Sequence, residues 1–162
     1  MNDCKARTWP IPEHPPQPAL LHALAASLED EARLLALARD FHPSEDFPFV
    51  PHCYSRSLLL NTEEGPQVMV ARWDQGAATP IHGHPQYAFV YVLQGRLRNE
   101  TFRNTDSGLV PGASRICEAG DHIYAAGHQD RFDNAIHRVT ALAPSLSLHV
   151  YSDDALKGIF WD

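Results

Sequence analysis

Beyond Pro51 the chain is broken every few residues by Gly, Pro, Asn or Asp, and short runs of Val, Ile, Leu, Tyr and Phe lie between the breaks. The runs fall at residues 54–60, 67–73, 87–93, 96–102, 115–117, 136–142 and 146–151. β-Branched and aromatic side chains suit a pleated strand, and the breaking residues supply the turns. Seven or more short strands at this spacing, with no helical pattern between them, predict a sandwich or a barrel.

The punctuation is uneven. All nine glycines lie at or after Gly65, whereas eight of the thirteen prolines lie at or before Pro51. Five of those prolines (Pro10, Pro12, Pro15, Pro16 and Pro18) make residues 1–18 an extended, proline-rich arm. Between the arm and the strands, Leu20, Leu24, Leu28, Ala32, Leu35 and Ala38 recur every three or four residues. That stripe predicts amphipathic helices over about 19–42, two of them meeting near Ser27, with Ser27 as N-cap and Glu29 and Asp30 in the first turn. The expected layout is therefore an arm at 1–18 and one domain at 19–162, mainly β, with short N-terminal helices and a barrel over about 50–152. A chain of 162 residues buries roughly 70% of its unfolded surface in one core.

Twenty acidic residues against thirteen Lys and Arg give a net charge of −7, which excludes a phosphate-tracking nucleic-acid binder. No apolar run is long enough to span a membrane, and residues 1–18 contain no apolar secretory core. Cys4, Cys53 and Cys117 are odd in number and follow no paired spacing, so neither a disulfide framework nor a cysteine zinc site is expected. A reducing cytoplasm fits that pattern, with Cys53 and Cys117 as small buried hydrophobes. A monomer fits as well, and nothing in the sequence specifies the oligomeric state.

Ten histidines stand out against this background, since neutral imidazole is the commonest metal ligand. The sharpest segment is GAATPIHGH, from Gly76 to His84, with Gly95 eleven residues further on. On a strand, His82 and His84 project from the same face and can hold one ion. The alternative is an unrelated pair in a Gly/Pro turn.

The pattern Gly-x5-His-x-His…Gly resembles the first motif of the cupin superfamily, whose fold is a jelly-roll β-barrel. Many cupins carry a glutamate four or five residues after the second histidine; here Ala88 and Phe89 stand there. That departure resembles the cysteine dioxygenase-type thiol dioxygenases, which hold Fe(II) with three histidines. Trp73, nine residues before His82, the segment from Ile136 to Val139 around His137, the SLHVY run from Ser147 to Tyr151, and the pair Tyr54 and Arg56 resemble further motifs of that branch. The likeness covers about residues 54–152.

The resemblance implies Fe(II) as cofactor, held by His82, His84 and His137. His128 is the rival third ligand, and His122 and His128 otherwise read as polar turn residues or as groups that support the ligands from behind. It implies a substrate site at Arg56 and Tyr54, and a hydrogen-bond relay Ser147–His149–Tyr151 ending on the phenol. The implied reaction adds both atoms of O₂ to the sulfur of a small carboxylate-bearing thiol, cysteine first and 3-mercaptopropionate next. A non-catalytic metal-binding sensor of the same fold is one other reading, and a cupin isomerase or other metalloenzyme using Zn or Mn, which would usually keep the missing glutamate, is a second. Animal members join the tyrosine covalently to a cysteine; the aligned residue here is Ala88, so no such crosslink is expected.

Three residue types fit that chemistry. Three neutral imidazoles leave the 2+ charge of iron uncancelled, which favours an anionic thiolate. The planar fork of Arg56 matches a carboxylate in two parallel hydrogen bonds. The alternation in the SLHVY run puts Ser147, His149 and Tyr151 on one face of a strand.

Overall fold

The computed structural model describes residue 4 and residues 6–161. Residues 1–3 and 5 of the expected arm, and residue 162 of the expected domain, lie outside the described residues. In chain order the elements are β1 (Arg7–Trp9), α1 (Pro18–Ala25), α2 (Glu31–Arg39), β2 (Tyr54–Asn61), β3 (Gln67–Trp73), β4 (Ile81–His84), β5 (Tyr87–Gln94), β6 (Arg96–Thr105), β7 (Gly108–Glu118), β8 (His122–Ala126), β9 (Asn134–Ala141), β10 (Ser145–Tyr151), a 3₁₀ turn (Ala155–Lys157) and β11 (Phe160–Trp161).

The strands form a six-stranded sheet, β1-β2-β3-β10-β5-β8, and a five-stranded sheet, β11-β4-β9-β6-β7. The two sheets face each other as a jelly roll, as expected. In β10, Leu148 and Val150 pack outward with Val68, Val70 and Phe89 beneath Leu21, Leu24 and Leu34 of the two helices. Each of those apolar side chains stabilises the fold by roughly 1.5–3 kcal/mol when fully buried. The helices therefore consume the apolar face of the sheet, and the polar face of β10 is left for the barrel interior.

The helical segment differs from expectation at its junction. Asp30, not Ser27, caps α2: it is extended, and its carboxylate accepts from the Arg33 backbone N–H at 3.0 Å. Ser27 instead closes α1, donating its hydroxyl to the Ala23 carbonyl at 2.7 Å. The loop between the helices needs the residues after Ser27, so the second helix starts one turn later.

β1, β4, β8 and β11 have no counterpart among the expected strands. β1 is held by parallel pairing with β2, Thr8 opposite Arg56. β8 pairs with β5, which places His122 opposite Tyr91 instead of in a turn. Such short segments become strands because a neighbour supplies their hydrogen bonds, and their own sequences carry little periodic signal.

The cysteine expectation is corrected. Cys4 and Cys53 form a disulfide with Cα atoms 5.2 Å apart, and only Cys117 is free and buried. Pairing β1 beside β2 brings the two cysteines together across 49 residues. Disulfides are rare in reducing compartments, so the cysteines no longer argue for one. A loop of this length implies up to about 4 kcal/mol of stabilisation through the unfolded chain. Reduction, or the Cys4→Ser/Cys53→Ser pair, is expected to lower stability by about 2–4 kcal/mol in urea titrations.

Candidate metal centre

β4 carries His82 and His84 at the edge of the cavity between the sheets, and β9 lies beside it with His82 opposite His137. The chain can come this close because residue 83 is glycine. A Cβ there would lie 2.6 Å from the Asp133 Cα and the Phe132 carbonyl oxygen. The ligand atoms of His82, His84 and His137 lie within 4.8 Å of one another. His128 is elsewhere, on an exposed turn where its backbone N–H donates to Asn134 Oδ1. His122 faces helix α2, with Nε2 2.8 Å from Glu31 Oε1.

The hydrogen bonds determine what the three rings present to the cavity. Nδ1 of His82 meets the Pro80 carbonyl at 2.9 Å, Nδ1 of His84 the Ala135 carbonyl at 3.2 Å, and Nδ1 of His137 the Asn99 Oδ1 at 2.7 Å. All three partners are acceptors, so each Nδ1 carries the proton and each Nε2 a lone pair. His84 Nε2 is buried without any partner, and Nε2 of His82 and His137 face each other at 3.2 Å. Three converging lone pairs repel one another; a cation between them turns that repulsion into coordination. The donor set thus fits a divalent metal ion with open positions.

Burial depresses the pKa of all three rings, His84 to about 3, which keeps them in the neutral form that ligates. His149 is likewise held near 3 by burial. These shifts oppose folding in acid. The unfolded rings take up protons below about pH 6.5 while the folded ones do not, so stability falls as pH drops through that value. For His84 and His149 together the loss between pH 7.5 and 5 is about 4 kcal/mol. The metal-free protein is therefore expected to melt markedly lower at pH 5 than at pH 7.5. An unchanged melting temperature would show that these rings are protonated in the fold.

A relay lies next to the histidines. Trp73 donates its indole N–H to Ser147 Oγ at 2.9 Å. Ser147 Oγ is 2.7 Å from His149 Nε2, and His149 Nδ1 is 2.8 Å from the Tyr151 hydroxyl. The indole can only donate, which leaves the Ser147 hydrogen available to His149 Nε2. In that tautomer His149 donates from Nδ1 to Tyr151, and the phenolic hydrogen is free to enter the cavity. Burial raises the phenol pKa, so that hydrogen stays in place near neutral pH. Ala88 sits directly opposite Tyr151 on β5.

Arg56 and Tyr54 lie on the same cavity, which also takes in Met69, Val139 and Phe160 and measures about 50 Å³, room for a few water-sized groups. Tyr54 stacks on Trp73 with centroids 4.5 Å apart. Arg56 Nε is buried without a hydrogen-bond partner. The eight expected site residues thus share one cavity or, for Ser147, touch a residue that lines it. Sequence reasoning missed Asn99, the donor role of Trp73, and Phe160, whose ring lies 6.1 Å from that of His82. The Asn99 contact spans 38 residues, and no local pattern announces it.

No protein-family model matches the chain, and no curated protein matches it. Solved structures do. KdgF from Halomonas sp. is 24% identical, with a TM-score of 0.50 over 68% of this chain and 87% of that one. An RmlC-like cupin from Shewanella frigidimarina is 16% identical, with a TM-score of 0.51 over 70% of this chain and 88% of that one. At these identities the likeness concerns the fold. The chain has the cupin fold, built around three histidines that can hold a metal. No helix among the described residues is long and apolar enough to cross a membrane.

Proposed function

We propose that this protein is a non-heme Fe(II) thiol dioxygenase that converts a small carboxylate-bearing thiol and O₂ into the sulfinate, cysteine being the favoured substrate. The observation that carries the reading is the company the three histidines keep: an unpaired Arg56 and the Tyr151 phenol line the same small cavity, and no ligand carboxylate accompanies the rings. Fe(II), held by His82, His84 and His137, would supply a strongly electrophilic centre for oxidation of the thiol. The chain's own residues do the rest. Arg56 binds and orients the carboxylate through its fork. Tyr151, fed by Ser147 and His149, holds a hydrogen toward the cavity at neutral pH. Met69, Val139 and Phe160 give it an apolar wall.

One observation favours 3-mercaptopropionate as a second reading. Among the described residues lining the cavity there is no carboxylate to pair with a substrate ammonium. A sensor that only binds metal has no use for both Arg56 and the Tyr151 relay. The proposal includes no nucleic-acid or membrane partner, a monomer as the acting unit, and a cytoplasmic location in which Cys4 and Cys53 would be thiols. Alkylation of the protein during extraction counts those thiols. Fe(II)-loaded protein in an oxygen electrode tests the activity: uptake is expected with cysteine or 3-mercaptopropionate and not with cysteamine, which lacks the carboxylate. No uptake with any thiol defeats the proposal.

A further inference from the structure

The three ligand rings differ in one respect. His82 and His84 are oriented by main-chain carbonyls, of Pro80 and Ala135, whereas His137 is oriented by a side chain, Asn99 Oδ1 at 2.7 Å. We propose that Asn99 is a positioning residue of the metal centre, holding His137 in the Nδ1–H tautomer and setting how strongly its Nε2 binds a divalent ion. The proposal rests on the three-histidine metal reading and is independent of the thiol chemistry.

Asn99 is 7% exposed and sits on β6, whose neighbour Leu97 belongs to the apolar core. A buried amide is costly unless it is hydrogen-bonded, and an aliphatic side chain would pack here without that cost. β6 and β9 are adjacent strands with Thr101 opposite His137 and Asn99 opposite Val139. The diagonal between them lets the amide reach the imidazole. The partner of a metal-bound histidine fixes its tautomer and ring orientation, and its charge sets how strongly the ring donates. An amide fixes the tautomer and adds no charge. The two carbonyls do the same for His82 and His84. The centre is therefore neutral in its ligands and again in the groups that orient them, so an ion bound there keeps its full charge. Residue 99 is the one orienting group that a substitution can alter: leucine would remove the acceptor, and aspartate would keep it and add a negative charge.

The test is titration of metal-free protein with Co(II), followed by visible absorption and by competition with a chelator. Asn99→Leu is expected to weaken Co(II) roughly 10- to 100-fold. Asn99→Asp is expected to bind at least as tightly as the wild type, with shifted absorption bands. A merely structural role for Asn99 would lower the melting temperature of the metal-free protein and leave those bands unmoved. Equal affinity of Asn99→Leu and wild type overturns the inference. Failure of the wild type to bind Co(II) at all instead defeats the metal reading beneath it. Should Asn99→Leu not fold, ¹⁵N NMR of the metal-free wild type decides. A protonated Nδ1 on His137 supports the role, and a protonated Nε2 overturns it.

Discussion

His137→Ala is expected to reduce bound iron from stoichiometric to trace, while His128→Ala keeps it. The reason lies in the convergence of the rings. Removing His137 leaves two ligands on β4, too few to hold a labile divalent ion against water. It also leaves the buried Asn99 amide without its partner, so the metal-free variant is expected to be less stable than the metal-free wild type by roughly 1–3 kcal/mol. The ligand role is read separately, from the metal-dependent part of stability. An ion at a thousandfold excess over its Kd stabilises the fold by about 4 kcal/mol. For a chain of this size that is a rise of roughly 8–16 °C in melting temperature. Wild type and His128→Ala should show the rise and His137→Ala should not. If His128→Ala loses the rise and His137→Ala keeps it, the ligand assignment is wrong.

The second large effect is expected at Arg56. Its Nε is buried without a partner, and among the described residues no carboxylate forms an ion pair with it. An arriving carboxylate would give that Nε–H the acceptor it lacks. Removing one member of a buried charge pair costs 2–5 kcal/mol, or roughly 30- to several-thousand-fold in binding. Arg56→Ala should therefore raise KM for cysteine or 3-mercaptopropionate within that range. Arg56→Lys should recover only part of it, because a point charge lacks the fork. The fold itself should not suffer, since the variant removes a buried N–H that has no partner. Steady-state oxygen uptake checks the first claim and thermal melting the last. An unchanged KM would remove the carboxylate from the proposed substrate.

How much of this was legible in the sequence depended on the range of the contact. The β-rich region, the helical start and the two-residue spacings were readable because a pleat and a helical turn are local. His82 with His84, and Ser147 with His149 and Tyr151, share a face whatever the rest of the chain does. The same local signal failed for β8, where the HIYAA run does not alternate cleanly and is a strand because β5 lies beside it. It also failed for the cysteines. Counting spacings suggested no pairing, and only the parallel docking of β1 on β2 brought Cys4 to Cys53.

By itself, then, the sequence determined which side chains stand together on each strand, because that follows from the two-residue period of the backbone. The tertiary structure decided which face turns inward. The polar face of β10 lines the barrel because α1 and α2 cover its leucine and valine side. Tertiary structure also decided what meets across the chain: His137 with His82 over 55 residues, and with Asn99 over 38. Those meetings depend on strand register between distant segments, which packing sets and no local propensity encodes.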